Sequence, residues 1–314
     1  MIIKDRLKII QNLSGLTQEE LAKKLGVSFA TFNSWINERS KPRRKATENI
    51  NEIYFIYTGQ KDVPKDPLTA KRQIILKKAK EHKNILKEIV KNSDIYNQFL
   101  LSLTYHSNKI EGSTLTEDET MAVMFDNISL PKKNIIEQLE VKNHQAALEY
   151  LLKYLLSASV KINEAFVLKL HSILMNGIKS DAGSYRDHGV RIVGAYIPTA
   201  NYLKVAKLMK EITKDINSKD NDVVTHIANI HSRFEQIHPF SDGNGRIGRL
   251  LMHAMLLRSN LPPAVIEQKK KRSYYNCLRK AQTNKDFIPL EDFLCGSIIE
   301  GFKILERKHR KRGE

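Results

Sequence analysis

Cysteine is scarce: the 314 residues include 2, Cys277 and Cys295. They stand far apart in the chain and outside any CxxC pair, which excludes a disulfide framework and a cysteine-based zinc site and leaves two buried free thiols. Long apolar runs are also missing. None approaches the roughly 20 residues that span a bilayer, and the opening MIIKDRLKII lacks the apolar centre of a signal peptide. The reading is therefore a chain without a membrane partner, located in the cytoplasm. There are no internal repeats, and no GxxxxGK(S/T) phosphate loop occurs. Acidic residues are the last deficit, 35 against 52 Lys and Arg, for a net charge of +17. Such a field draws nucleic acid, nucleotides or acidic surfaces without choosing among them. Much of it lies on solvated helix faces such as KRQIILKKAKEHKNILKE and in the tail ERKHRKRGE.

What is present is enough apolar content, 41%, for one large core or two smaller ones. The stretch GQKDVPKDPLTAK interrupts the helical patterns, so the expected organisation is a domain over 1–58, a linker over 59–72 and a domain over 73–314. Before the linker three short helices fit: Ile3 to Leu13, Thr17 to Leu25 and Ser28 to Asn37. Thr17 and Glu20 form a capping box, and Gly26 supplies the next turn. The segment LTQEELAKKLGVSFATFNSWINERSKP resembles the lambda-repressor-like helix-turn-helix family. That resemblance implies a core of Leu21, Ala22, Leu25, Val27 and Phe32, with the helix from Ser28 entering a DNA major groove. Phe29, Asn33 and Ser34 then face the bases, where Asn33 suits an adenine edge, while Gln18, Arg39, Lys41, Arg43 and Arg44 meet phosphates. The other use of such a bundle is dimerisation, a homodimer, or docking of a target.

Beyond the linker the pattern is helical, as in Val223, Ile227, Ile230, Phe234 and Ile237 at spacings of three and four. One stretch differs. In SYRDHGVRIVGAYIPTA, Val190, Ile192 and Tyr196 alternate among Gly189, Gly194 and Pro198, which suits a β-hairpin. The expected fold is mainly α: a helix-turn-helix bundle, then an all-α domain carrying one β-hairpin.

Chemistry concentrates in HPFSDGNGRIGRLL, residues 238–251. GNGRIG satisfies GxGxxG, yet no apolar strand precedes it, so a dinucleotide-binding fold is excluded. Its glycines still let backbone N–H groups approach an anion at a helix N-terminus. The helix from Ile247 to Leu257 is apolar on nearly all sides, as a buried central element is. Arg246 and Arg249, three apart, project on one face near its mouth and require anions there. A polyphosphate supplies them, Asp242 can hold a Mg²⁺ ion, and His238 can take a proton from a hydroxyl. His226, His231 and His253 read as structural.

HPFSDGNGRIGR is similar at every defined position to the Fic-domain motif HxFx(D/E)GNGRxxR. The resemblance implies a protein adenylyltransferase, moving AMP from Mg-ATP to a Ser, Thr or Tyr hydroxyl of a target protein or of itself. It makes His238 the base, Asp242 the metal ligand and Gly243, Asn244 and Gly245 the anion cradle. Arg246 and Arg249 hold the outer phosphates, and Phe240 anchors the loop. The hairpin becomes a flap on which Val190, Arg191, Ile192 and Val193 pair with the target's backbone, and Tyr275 stands where the family has an aromatic near adenine. Upstream, HSNKIEGS matches the family's inhibitory pattern (S/T)xxxE(G/N) through Ser107, Glu111 and Gly112, on a helix around 97–112. A carboxylate there takes the Arg249 guanidinium from the γ-phosphate, a built-in brake, and in the family the same glutamate also supports AMP removal. Two other readings stand beside this one: a DNA-binding transcription regulator whose Fic domain senses nucleotide, and a transferase using UTP, GTP or another diphosphate donor.

Overall fold

The computed structural model describes residues 1–58, 60, 66–157, 161–191, 197–218 and 222–307. The chain forms two compact units, Met1–Glu81 and His82–Glu314. The first contains α1 (Ile3–Ser14), α2 (Gln18–Lys24), α3 (Phe29–Ile36), α4 (Arg44–Thr58) and α5 (Pro67–Glu81). The second contains α6 (Ile85–Lys91), α7 (Ser93–Glu111), α8 (Glu117–Phe125), α9 (Ile135–Leu156), α10 (Glu164–Leu174), α11 (Val205–Ile216), α12 (Val223–Ile237), α13 (Asn244–Arg258), α14 (Lys271–Asn284) and α15 (Ile288–Leu305). Among the described residues there is no strand, and no helix is long and apolar enough to cross a membrane.

In the first unit the Thr17–Glu20 capping box is formed in both directions, and Gly26 takes the left-handed φ of 70° that the turn into α3 requires. Leu21, Ala22, Leu25 and Phe32 are buried with Leu7, Ile10, Ile50 and Tyr54, whereas Val27 is only half-buried. The unit extends past the expected linker. Pro67, read as an interruption, is the first residue of α5, a position where its missing N–H costs nothing. Asp66 caps that helix by accepting the Thr69 N–H at 2.8 Å.

In the second unit α13 is the axis, packed against α7, α9, α10 and α12. Thirteen of its 15 residues are buried. Ile247, Leu250, Leu251, Met252, Leu256 and Leu257 each contribute about 1.5–3 kcal/mol by leaving water, which fixes the helix whose N-terminus carries the motif. Gly248 lets α12 come close: a Cβ there would collide with the Glu235 carboxylate and meet Phe234 Cδ1 at 3.1 Å. Cys295 is buried, but Cys277 is only half-buried, so one thiol of the pair departs from expectation. Of the expected hairpin, Ile192, Val193, Gly194 and Tyr196 lie outside the described residues, and Val190 and Arg191 are in no strand. The two limbs do meet, through the Thr199 hydroxyl donating to the Val190 carbonyl at 2.8 Å.

Candidate active site

α12 ends at His238, whose backbone is left-handed (φ 51°, ψ 61°) and which precedes Pro239, a residue that cannot continue the helix. Its Nδ1 lies 3.2 Å from the Glu235 carbonyl. A carbonyl accepts only, so Nδ1 carries the proton and Nε2 keeps its lone pair. Burial holds the imidazole below its ordinary value; the Arg186 charge pushes the same way, while the Glu235 carbonyl, Glu111 and Asp242 oppose.

The loop that follows closes on itself. The Asn244 amide takes both main-chain groups of Phe240, accepting its N–H at 2.9 Å and donating to its carbonyl at 2.8 Å. The side chain of Asn244 is thus committed to the loop, and its main chain is what remains to face an anion. Phe240 is buried with its ring stacked 3.7 Å from His171. His171 Nδ1 accepts the Gly183 N–H at 2.9 Å, which leaves Nε2–H to donate to the Asp242 carbonyl at 3.2 Å. Burial lowers this imidazole to about 4 and keeps it neutral.

Asp242 is part-exposed, with one oxygen accepting the Gly243 N–H at 2.6 Å and the other 3.4 Å from the Lys179 ammonium. Gly243 has φ 76°, and a Cβ there would press on the Met175 sulfur at 2.9 Å. At Gly245 an added Cβ would strike the Glu111 carboxylate. That carboxylate therefore lies directly over the middle of the glycine cradle.

The two arginines do not share a partner, contrary to the single face expected of them. Arg246 turns to α9, where Nη1 donates to Glu140 at 2.7 Å, and its Nη2 is 3.7 Å from Asp242. Arg249 turns to α7: Nη2 donates to Glu111 at 2.6 Å and to the Ser107 carbonyl at 3.2 Å, and Nε donates to the Ser107 hydroxyl at 2.9 Å. Long side chains three positions apart can each turn to an acid on a different neighbouring helix, Glu140 on α9 and Glu111 on α7. Burial works against the Arg249 charge, and Glu111, Tyr274 and Tyr275 together more than offset it, so the guanidinium stays protonated. Its Nη1 is buried with no hydrogen-bond partner among the described residues. α7 ends where these contacts begin, Gly112 closing it with φ 112°.

Behind this corner lie groups the motif does not announce. Glu235 is buried, and desolvation pushes its carboxyl up to about 7, with Arg249 lowering and Glu111 raising it. His231 and His253 are held at about 3, by burial first and then by the Arg249 charge. His231 hydrogen-bonds Tyr274 at 2.6 Å, which agrees with a structural reading of that residue. Tyr275 is 40% exposed on α14, its hydroxyl kept neutral by burial and by Glu111.

In the first unit Phe29 is 46% exposed, Arg39, Lys41 and Arg43 are exposed, and Gln18 and Asn33 are half-buried. Asn33 Oδ1 receives the Asn37 amide at 3.0 Å, which leaves that oxygen one further lone pair.

Residues 161–256 match the Fic/DOC family, and residues 7–46 match the Helix-turn-helix family. By the first of these matches residues 161–256 are a Fic/DOC domain. The Fic match contains His238 and the whole cradle, whereas Ser107, Glu111 and Tyr275 lie outside it. The chain is 35% identical over 181 residues to the protein adenylyltransferase Fic of Nematostella vectensis, covering 56% of this chain and 42% of that protein. With the protein of the same name from Drosophila melanogaster it shares 31% over 194 residues, 60% of this chain and 39% of that one. The match thus spans about two fifths of the length of these relatives. A Fic domain containing signaling protein of Bacteroides thetaiotaomicron has the same fold, with a TM-score of 0.67 at 23% identity over 76% of this chain and 99% of that one. A Fic family protein from Desulfovibrio desulfuricans gives 0.56 at 26%, covering 77% and 74%.

Proposed function

We propose that this chain is an autoinhibited protein adenylyltransferase. The observation that carries the reading is the Arg249 guanidinium at the mouth of a buried helix, ion-paired to Glu111 and still holding a buried Nη1 with no hydrogen-bond partner among the described residues. An arginine so placed is built for an anion that Glu111 now replaces.

ATP is the donor of this reading, and the residues fit it. A Cβ at Gly245 would enter the space that the Glu111 carboxylate now holds beside Arg249, and the first N–H groups of α13 are free of intrahelical partners, a site suited to phosphate oxygens. Among the described residues no three His, Cys, Asp or Glu side chains converge to hold a metal by themselves. A lone part-exposed carboxylate, Asp242, suits Mg²⁺, which takes one or two carboxylates and completes its shell with phosphate and water. Bound there, the metal would neutralise phosphate charge.

The chain's own work is then specific. His238 Nε2 takes the proton of the acceptor hydroxyl as its oxygen forms a bond to the α-phosphorus and the bond to pyrophosphate breaks. The depressed pKa keeps that nitrogen unprotonated at neutral pH. Arg249, once released, holds the outer phosphates and so sets the line of attack. Glu111 prevents this twice, by occupying Arg249 and by laying negative charge across Gly245.

We further infer that the first unit binds DNA through α3 and the exposed Arg39, Lys41 and Arg43, in keeping with the Helix-turn-helix match. Incubating Glu111→Gly protein with lysate and a mixture of nucleotides, followed by mass spectrometry, tests the enzyme reading. AMP on Ser, Thr or Tyr is expected. UMP or GMP instead would keep the transferase and change its donor, and no adduct with nucleotide still bound would leave the sensor reading in its place.

A further inference from the structure

Arg186 is a buried arginine without an acid. It is 3% exposed, and among the described residues no carboxylate pairs with it. Its guanidinium instead donates to four main-chain carbonyls: Nε to His238 at 2.7 Å, Nη1 to His188 at 2.6 Å, and Nη2 to Ala200 at 2.5 Å and Ile237 at 3.3 Å. Ile237 and His238 are orphan acceptors at the negative end of α12, where a cation is favourable. Capping α12 needs only those two bonds. The other two leave the helix and grip residues 188 and 200, the feet of the segment that sequence patterning marked as a hairpin. The main chain reinforces the joint: Arg186 N–H donates to the Pro239 carbonyl at 3.0 Å and Ala200 N–H to Gln236 at 3.2 Å.

We propose that Arg186 is a positioning residue that locks residues 188–191 and 197–200 to the His238 backbone, so that a polypeptide acceptor lying along them presents its hydroxyl to Nε2 at a fixed distance. This rests on the adenylyltransferase reading for the acceptor, but not for the joint itself. Lysine cannot take the place of Arg186. One ammonium has three donors and no planar fork, so it cannot serve four carbonyls lying in two directions. The positive charge has a separable effect, because it faces the imidazole together with Glu111 from α7 and Asp242 from the motif loop, beside the Glu235 carbonyl of α12 itself.

The test compares Arg186, Arg186→Lys and Arg186→Gln in the Glu111→Gly background. It measures Mg-ATP affinity, AMP transfer to water, AMP transfer to protein, exchange of the Ala200 amide proton, and the NMR titration of the His238 ring. Transfer to protein is expected to fall about 100-fold in both variants, the usual cost of displacing a reacting group by about 1 Å. Nucleotide affinity and transfer to water should change far less. Ala200 N–H should exchange several-fold faster in both, and the His238 titration should move to higher pH in the Gln variant only. A Lys variant that modifies protein as fast as Arg186 overturns the assignment. So does a parallel loss of all activities with a lowered Tm, the mark of a purely structural residue. If the Arg186 parent transfers no nucleotide at all, the adenylyltransferase reading fails, and unchanged Ala200 exchange in the Lys variant would then sink the joint independently. Should neither variant fold, Thr199→Val loosens the same feet by removing one bond. It should lower transfer to protein with nucleotide affinity intact, and an unaltered rate would also overturn the proposal.

Discussion

Arg39, Lys41 and Arg43 stand exposed on the first unit, whereas Arg246 and Arg249 in the second are 3% and 2% exposed, each against a carboxylate. The same residue type is put to two uses. Exposed cations act additively through a screened field, so each can be lost alone. A buried ion pair works as a unit, and losing one partner strands the other in a medium that penalises bare charge. The difference teaches that the net charge of +17 describes the first use and says little about the second, which depends on where individual acids stand.

The sharpest break between the two regions comes at the buried site. His238→Ala in the Glu111→Gly background should cut label transfer from α-labelled ATP by about 10²–10⁴-fold, the range of a general base, with nucleotide binding retained. A retained rate would remove the imidazole from the chemistry. Next in size, Glu111→Gly alone should raise transfer roughly 100-fold, since a misaligned phosphate costs about that much. It should also lower Tm without nucleotide and regain it with Mg-ATP, because a new anion replaces the lost one. Equal Tm in both conditions would mean Arg249 does not meet phosphate.

Glu235→Gln probes the same corner through pH. The folded carboxyl titrates near 7 and an unfolded one near its ordinary value, so between those limits the native state binds more protons than the unfolded one. Stability therefore falls as pH rises through that window, by about 3 kcal/mol in all. The Gln variant should lose this slope in urea titrations from pH 5 to 8, and a slope equal to wild type would place the charge elsewhere. The smallest effect belongs to the exposed set. Arg39→Ala should reduce the dependence of log K for DNA on log salt by about 0.9, with little change in Tm, and an unchanged slope would take Arg39 off the phosphates.

Much of this was legible because its signals are local. Twelve consecutive residues from His238 carry base, acid, glycines and arginines, the Thr17–Glu20 box is written within a single turn, and the period of α12 within one helix. Helix α7 was legible through Ser107, Glu111 and Gly112, which lie within two consecutive turns. What escaped is held by distance along the chain. Glu140 reaches Arg246 across 106 positions and Arg186 reaches His238 across 52, each a single polar residue in a stretch with no period to mark it. His171 and Lys179 are of the same kind. Pro67 misled because proline both breaks helices and begins them, and only the Asp66 cap decides which.

The Asn244 amide, bonded to both main-chain groups of Phe240, has a kinetic consequence. A loop whose outline is set by its own side chain has no disorder to surrender when a guest arrives, so little of the association energy goes into ordering it. The slow event on entry is then the departure of one glutamate. Stopped-flow mixing with nucleotide should show a single phase whose rate saturates in the wild type and rises linearly with concentration once that glutamate is gone.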